Sequence, residues 1–237
     1  MSTMRGALPT WAALASSLCS EPSATPSVLT LVRERNGWCV HSSQLWLAVE
    51  HKGLPYKQEF GLEPQLQWAD GRATCVVDAL RALDSLHPDS PPLWPPPGVS
   101  SADVDRMVDA FATTMPRRAR ASTRAAFLFS AEEGFSYDAL PYEAFVATLD
   151  ATEAHLSEHD GPFFCGQAFS AADVVWAPQL ERYAAQLPLL FGSDLRPRGG
   201  ERWPRLSAFH DALDEIPAYA CRIKGDSQSW RKVLSSL

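Results

Sequence analysis

The apolar positions along the chain change period several times. Val28 to Arg33 (VLTLVR) is a short β-rich run between Pro26 and Asn36-Gly37, and reads as a strand. From Trp38 to Lys52 the spacing is helical: Leu45 and Val49 share a face with His41 or Ser42 one turn earlier, and Trp46 lies beside them. Gly53 and Pro55 follow in the order expected past a helix C-terminus. Tyr56 to Phe60 reads as a second strand. A strand, a helix and a strand in so short a stretch predict a βαβ unit with a parallel pair. Leu62 to Trp68 then alternates and runs into Asp70-Gly71, which predicts a hairpin with its return strand near Ala73 to Val76. Asp78 is placed to cap a helix that reaches Leu86 and is stopped by Pro88. The segment Pro91 to Gly98 (PPLWPPPG) is incompatible with regular structure and reads as a stiff linker.

Beyond the linker every periodic segment is helical. Helices are predicted over Val104–Thr114, Ser122–Phe129 and Leu140–His159, the last ended by Gly161-Pro162. Ser170-Ala171-Ala172-Asp173 sets a capping residue three positions before an acid, with Phe169 and Val174 placed as a hydrophobic staple. That helix is expected to run to about Leu187 with a kink at Pro178. Trp203–Ile216 is a further helix, closed by Pro217. There is no internal repeat. The resulting organisation is an N-terminal extension (1–27), a small α/β domain (28–90), a Pro-rich linker (91–100), an all-helical domain (101–226) and a C-terminal tail (227–237). The extension is rich in Ser, Thr and Ala, and reads either as a short helix carrying Trp11, Leu14 and Leu18 or as a cleaved targeting segment.

Composition narrows the functional classes. The chain has 237 residues, 46% hydrophobic and 21% charged, which is globular and not disordered. Its net charge of −7 argues against gripping nucleic acid by its phosphates. No apolar window is long enough for a membrane span. Cysteines stand at 19, 39, 75, 165 and 221 without C-x-x-C or zinc-ligand spacing. They read as reduced thiols in a reducing compartment, four of them as small core hydrophobes. His155 and His159, one turn apart, could pair on a metal, but no third ligand is in view and no metal is expected. Arg117-Arg118-Ala119-Arg120 reads as a solvated face.

Gly37-Trp38-Cys39-Val40-His41-Ser42, followed by Leu45 to Tyr56 (LWLAVEHKGLPY), resembles the W-C-P-F-C/S…V-W-L-A-L-E-E-K-G-I-P-Y segment of cysteine-type glutathione transferases. Those are the omega, lambda and dehydroascorbate-reductase-like classes. Gly161-Pro162-Phe163-Phe164 through Phe169-Ser170-Ala171-Ala172-Asp173 resembles the superfamily's G-x-F-F-x-G…F-S-x-x-D motif. Ser122–Leu128 and Pro217–Asp226 are similar to segments of algal and plant omega-like members. The resemblance implies a thioredoxin-like α/β domain followed by a helical bundle, with glutathione as co-substrate. It also implies a cleft between the domains, which Trp176, Tyr183, Arg124 and Phe127 could line, although these residues also read as interhelical core.

Cys39 stands at a loop-to-helix junction after a strand, where free backbone N–H groups and the helix dipole favour the thiolate. His41, if protonated and turned inward, and Ser42 would assist. The second position of the redox pair is Ser42 and not a cysteine, so a mixed disulfide at Cys39 would be resolved by free glutathione. The resemblance then implies thiol transfer, deglutathionylation or dehydroascorbate reduction, with a small-molecule thiol or mixed disulfide as partner, in the cytoplasm or a plastid. It assigns Glu63-Pro64 to the family's V-P, where a cis-proline exposes the preceding backbone to glutathione. It assigns Val77-Asp78 to the E-S pair that holds the γ-glutamyl carboxylate, a carboxylate that Asp78 would repel. The helix normally found between Phe60 and Pro64 is expected to be missing, and Val40 replaces the usual proline. The altered glutathione site leaves a second reading open, a GST-fold binding or assembly module without glutathione chemistry, acting as a homodimer or with a protein partner.

Overall fold

The computed structural model describes residues 29–35, 39–115, 142–191 and 197–222. The expected helix Ser122–Phe129 with Arg124 and Phe127, the cluster at Arg117 to Arg120, the extension 1–27 and the tail 227–237 lie outside the described residues.

The first half contains β1 (Leu29–Arg33), α1 (Val40–His51), β2 (Tyr56–Phe60), β3 (Gln65–Trp68), β4 (Gly71–Ala73) and α2 (Val76–Leu86). The sheet order is β2-β1-β3-β4. β1 and β2 are parallel, as a βαβ unit requires, and β3 and β4 are antiparallel additions. Gly53 takes φ +64 just past α1, a conformation that β-carbon-bearing residues rarely adopt. Residues 61–64 link β2 to β3 without a helix, as expected.

Two local expectations are corrected. The return strand of the hairpin is Gly71–Ala73, and Val76 already begins α2. Asp78 is not the cap: the extended residue before the helix is Cys75 (φ −89°, ψ 133°), and Asp78 sits in the first turn. The chain turns into the helix soon after β4 ends, which puts Asp78 too far along to occupy the cap. Its charge still faces the positive end of the helix dipole.

The second half contains α3 (Ser101–Thr114), α4 (Tyr142–Leu156), α5 (Ala171–Phe191), α6 (Pro204–Asp214) and α7 (Pro217–Arg222). α5 passes the expected end at Leu187 and takes in Pro188 as well as Pro178. Pro217 opens α7 as well as following α6, because a proline at the first helical position forfeits no intrahelical bond. The acid-to-cap half of the capping box at α5 is formed. Asp173 accepts from the Ser170 N–H (2.8 Å), the Ser170 hydroxyl (2.7 Å) and the Phe164 N–H (2.9 Å). Burial pushes the Asp173 carboxyl up to about 6, against those donors. Gly161 (φ +140) lets the preceding loop close, since a Cβ there would lie 2.3 Å from the Gly166 carbonyl carbon. Trp176 and Tyr183 are core residues: the Trp176 indole donates to the Met107 carbonyl and stacks on Phe164 at 4.4 Å, and Tyr183 meets Phe145 edge-on.

α1 joins the two halves. Val40, Ser42 to Leu45 and Leu47 to Val49 are all buried, so the helix is covered on several faces at once, by β1, α2, α5 and α7. The Gln44 side chain donates to the Val175 carbonyl of α5 at 2.6 Å. The His51 ring lies 4.5 Å from Phe169. At the end of α1 the Lys52 ammonium is fully buried, 2.6 Å from Asp84, and also donates to the Pro91 carbonyl. Asp84 in turn accepts from the Leu93 and Trp94 N–H groups. One ion pair thus ties α1, α2 and the linker together.

Removing the carboxylate with Asp84→Ala leaves a buried ammonium and two linker N–H groups without their acceptor. The expected loss is about 3–5 kcal/mol of unfolding free energy, read from urea denaturation. His51 generates a pH prediction. Burial, and then the neighbouring Lys52, pull its imidazole from the ordinary 6.5 down to about 4. The unfolded chain therefore takes up a proton near pH 6.5 that the folded chain refuses until about pH 4. His51 contributes fully above the higher value, and its contribution is lost as pH falls through the lower one, up to about 3 kcal/mol. His51→Phe should flatten that part of the acid destabilisation when urea midpoints of the two proteins are compared across this window.

Candidate active site

Cys39 is the N-cap of α1, with extended backbone (φ −79°, ψ 116°), and its sulfur accepts the Ser42 backbone N–H at 3.4 Å. The donor is the backbone of Ser42 and not its hydroxyl, whose oxygen accepts the Glu34 N–H at 3.0 Å. The Ser43 hydroxyl donates to the Cys39 carbonyl at 3.3 Å. The first turn of α1 carries no acidic residue. The thiol thus meets the unsatisfied N–H groups of a helix start with no opposing carboxylate on that turn. The Cys39 side chain is fully buried, and His41 lies half-buried on the first turn.

The strand register brings the other expected residues to the same edge of the sheet. Arg33 pairs with Phe60, and Val32 with Gln65, so β1 and β2 end where β3 begins. β4, antiparallel to β3, ends there too. The link holding Glu63 and Pro64, the start of α1 at Cys39 and the start of α2 therefore all lie at one edge. Glu63 is exposed and Pro64 half-buried. The Glu63–Pro64 peptide is trans, contrary to the resemblance; the one cis peptide among the described residues is Trp94–Pro95. Val77 is half-buried and Asp78 exposed. With α2 beginning at Val76 and its first intrahelical bond running from the Ala79 N–H to the Cys75 carbonyl, the N–H groups without an intrahelical partner run from Cys75 through Asp78 and include the Val77-Asp78 pair.

Sequence reasoning missed the residue that reaches this site from the helical half. Arg182 of α5 is 3% exposed. Its Nη1 donates to the Pro178 carbonyl at 2.6 Å, and its Nη2 to the Ser43 hydroxyl oxygen at 3.4 Å. Burial pulls its guanidinium down to about 10, while Cys39, Glu181 and Glu34 attract its charge and oppose the fall. It remains a cation at neutral pH. The available signal was a charged Glu181-Arg182 pair inside an otherwise apolar helical run, since unpaired charge is rarely buried.

The remaining candidates belong elsewhere. Cys75 is exposed, which corrects its reading as a core hydrophobe; Cys165 is buried, and burial pushes its thiol up to about 11. His155 bonds Glu158 and Thr114, and His159 bonds Arg106. No group of three or more metal-ligating side chains is assembled among the described residues. An open groove of about 590 Å³ runs beside Arg81, Asp84, Trp94 and Asp105. Arg81 already spans it, stacked over Trp94 at 4.6 Å and paired with Asp105 at 2.8 Å.

Residues 135–212 match the C-terminal domain of glutathione S-transferases. Protein IN2-1 of Zea mays is 30% identical over 203 residues, covering 77% of this chain and 76% of that protein. The chain belongs to the glutathione S-transferase superfamily. Solved members share the fold along most of their length. Glutathione transferase Omega 3C from Trametes versicolor superposes with a TM-score of 0.64 at 16% identity, over 96% of this chain and 97% of that one. Rice GST1, in complex with glutathione, gives 0.64 at 18% identity, over 90% and 97%. The chain thus has the thioredoxin-like α/β half and the helical half of its relatives, and no described helix is long and apolar enough to cross a membrane.

Proposed function

We propose that this member of the glutathione S-transferase superfamily is a cysteine-type, omega-like monothiol transferase that uses Cys39 as nucleophile and glutathione as co-substrate. The carrying observation is the Cys39 sulfur at the start of α1, accepting the Ser42 N–H. The reaction is written for a mixed disulfide between glutathione and another thiol. The Cys39 thiolate attacks the glutathione sulfur, the S–S bond breaks, and the other thiol leaves as a thiolate that takes a proton. A second glutathione thiolate then attacks the Cys39–glutathione disulfide, releasing oxidised glutathione and the Cys39 thiolate. Position 42 is serine, so no second cysteine competes for that step at this spacing. Dehydroascorbate is an alternative acceptor of the same two electrons. The reading places glutathione along the sheet edge, with the backbone at Glu63-Pro64 and the start of α2 near Val77-Asp78 as its other contacts and His41 and Ser42 as auxiliaries. It divides the chain into domains at 28–90 and 101–226, joined by the linker 91–100, in a cytoplasmic or plastid protein.

The second reading is a glutathione S-transferase fold kept as a binding or assembly module, alone or as a homodimer. The exposed Glu63 carboxylate, the trans Glu63–Pro64 bond and Asp78 at the start of α2 favour it, because they alter the contacts that glutathione would need.

Under the first reading, glutathione binds the wild type in calorimetry, and Cys39→Ser abolishes turnover of a glutathione mixed disulfide. Ser42→Ala retains most of that turnover, because the N–H that reaches the sulfur belongs to the backbone. Absence of both binding and turnover in the wild type would select the second reading.

A further inference from the structure

β2 is an edge strand: β1 lies on one side of it, and among the described residues no strand lies on the other. The link 61–64 that follows forms no helix over it. Lys57 to Phe60 are all exposed. The Gly61 N–H donates to the Arg33 carbonyl at 3.0 Å, so the backbone groups of Glu59 and Lys57, two and four residues earlier, also point to β1. Those of Gln58 and Phe60 point outward, to the open edge. Side chains alternate between the two faces of the sheet. Gln58 stands on the α1 face, where it accepts the Arg33 Nε–H at 2.8 Å while Arg33 lies over Trp46 at 4.0 Å. Lys57 and Glu59 stand on the opposite face, which Thr30, Gln65 and Gln67 share by register. Their ion pair is 2.6 Å long, and the two side chains are 67% and 45% exposed. An edge that must stay single is usually defended by proline, by unmatched charge or by a covering element. β2 contains no proline, and its one lysine is matched two residues on by a glutamate.

We infer that the open edge of β2 is an interface between two copies of this chain, which pair antiparallel about a two-fold axis at Gln58. In that register each Gln58 exchanges both of its outward backbone bonds with its counterpart, and Lys57 of each copy lies opposite Glu59 of the other. These 57–59 pairs are the non-hydrogen-bonded ones, whose side chains approach most closely. The four charges then alternate in sign. Moving the axis one residue either way sets Lys57 against Lys57 or Glu59 against Glu59, and parallel pairing in register does both. The charge order of the strand therefore selects one register and one partner, its own copy. Pairing uses up the edge on both copies, so the assembly closes at a dimer. The inference does not depend on the chemistry at Cys39.

Sedimentation equilibrium of the full chain tests it. The wild type should dimerise reversibly between micromolar and millimolar concentration. Lys57→Glu and Glu59→Lys each turn both cross-strand pairs from attractive to repulsive, and each should raise the dimer dissociation constant about tenfold. Mixed in equal amounts, the two variants should associate again, because each glutamate of one strand then faces a lysine of the other. Gln58→Pro removes an N–H that faces outward and none that reaches β1, so it should leave the chain monomeric with an unchanged circular dichroism spectrum. A wild type that stays monomeric to millimolar concentration would overturn the inference. So would association that the two charge variants leave unchanged, since it would run through another face, or a mixture of the two that associates no better than either alone. If Gln58→Pro does not fold, the charge variants and their mixture decide. Turnover enters none of these readouts, so a failed transferase assay leaves the result standing.

Discussion

Everything at the sheet edge depends on the burial of α1. A helix covered on one side can tilt or slide with little loss. α1 packs against β1, α2, α5 and α7, with eight of its twelve residues buried, so its position is overdetermined. Its two ends carry the polar contacts that remain inside. At one end Lys52 is neutralised by Asp84, whose second task is to accept linker N–H groups. At the other, Cys39 meets the helix start, and Arg182 approaches through Ser43. Between them, Gln44 bonds α5 directly.

This arrangement gives the helical half two tasks. Its core of Phe145, Phe164, Trp176, Tyr183 and Phe209 makes a rigid wall, and the capping carboxylate of Asp173 fixes where α5 starts. That wall presents Val175, Phe169 and Arg182 to α1 at three levels. A change that loosens α5 therefore reaches the thiol without touching it, through the helix whose start holds it. The fully buried Lys52 and Arg182 are costly cations, and both lie on the surfaces where separate parts of the chain meet. In each case the cation meets polar groups from more than one element, so its desolvation is compensated only when those elements are correctly docked.

The proposed glutathione site shows a different balance. The fold of the superfamily is intact, while the helix-free link 61–64 and the trans Glu63–Pro64 peptide depart along the same edge from what the resemblance implies. In this chain the helix start bearing a sulfur belongs to the buried scaffold, and Glu63, Pro64 and Asp78 lie at its more exposed margin. Such a division is common in folds where a rigid scaffold carries loops that set substrate preference.

The sequence alone determined the order of elements, because that order is written in local period and punctuation. VLTLVR is a β-rich run bounded by Pro26 and Asn36-Gly37, Gly53-Leu54-Pro55 ends a helix, Asp70-Gly71 turns a hairpin, and Ser170 to Asp173 starts α5. Each signal involves residues within a few positions of one another, and the placement of Cys39 at the start of α1 follows from the same local reading. The boundaries slipped where two local signals competed, as at Asp78, where the capping preference of aspartate lost to the point at which β4 ends. Only the tertiary structure decided which charges are buried and what they face. Lys52 finds Asp84 32 residues away, and Arg182 finds Ser43 139 residues away. No local period records such a pairing, because it exists only after α1 has docked between the sheet and α5.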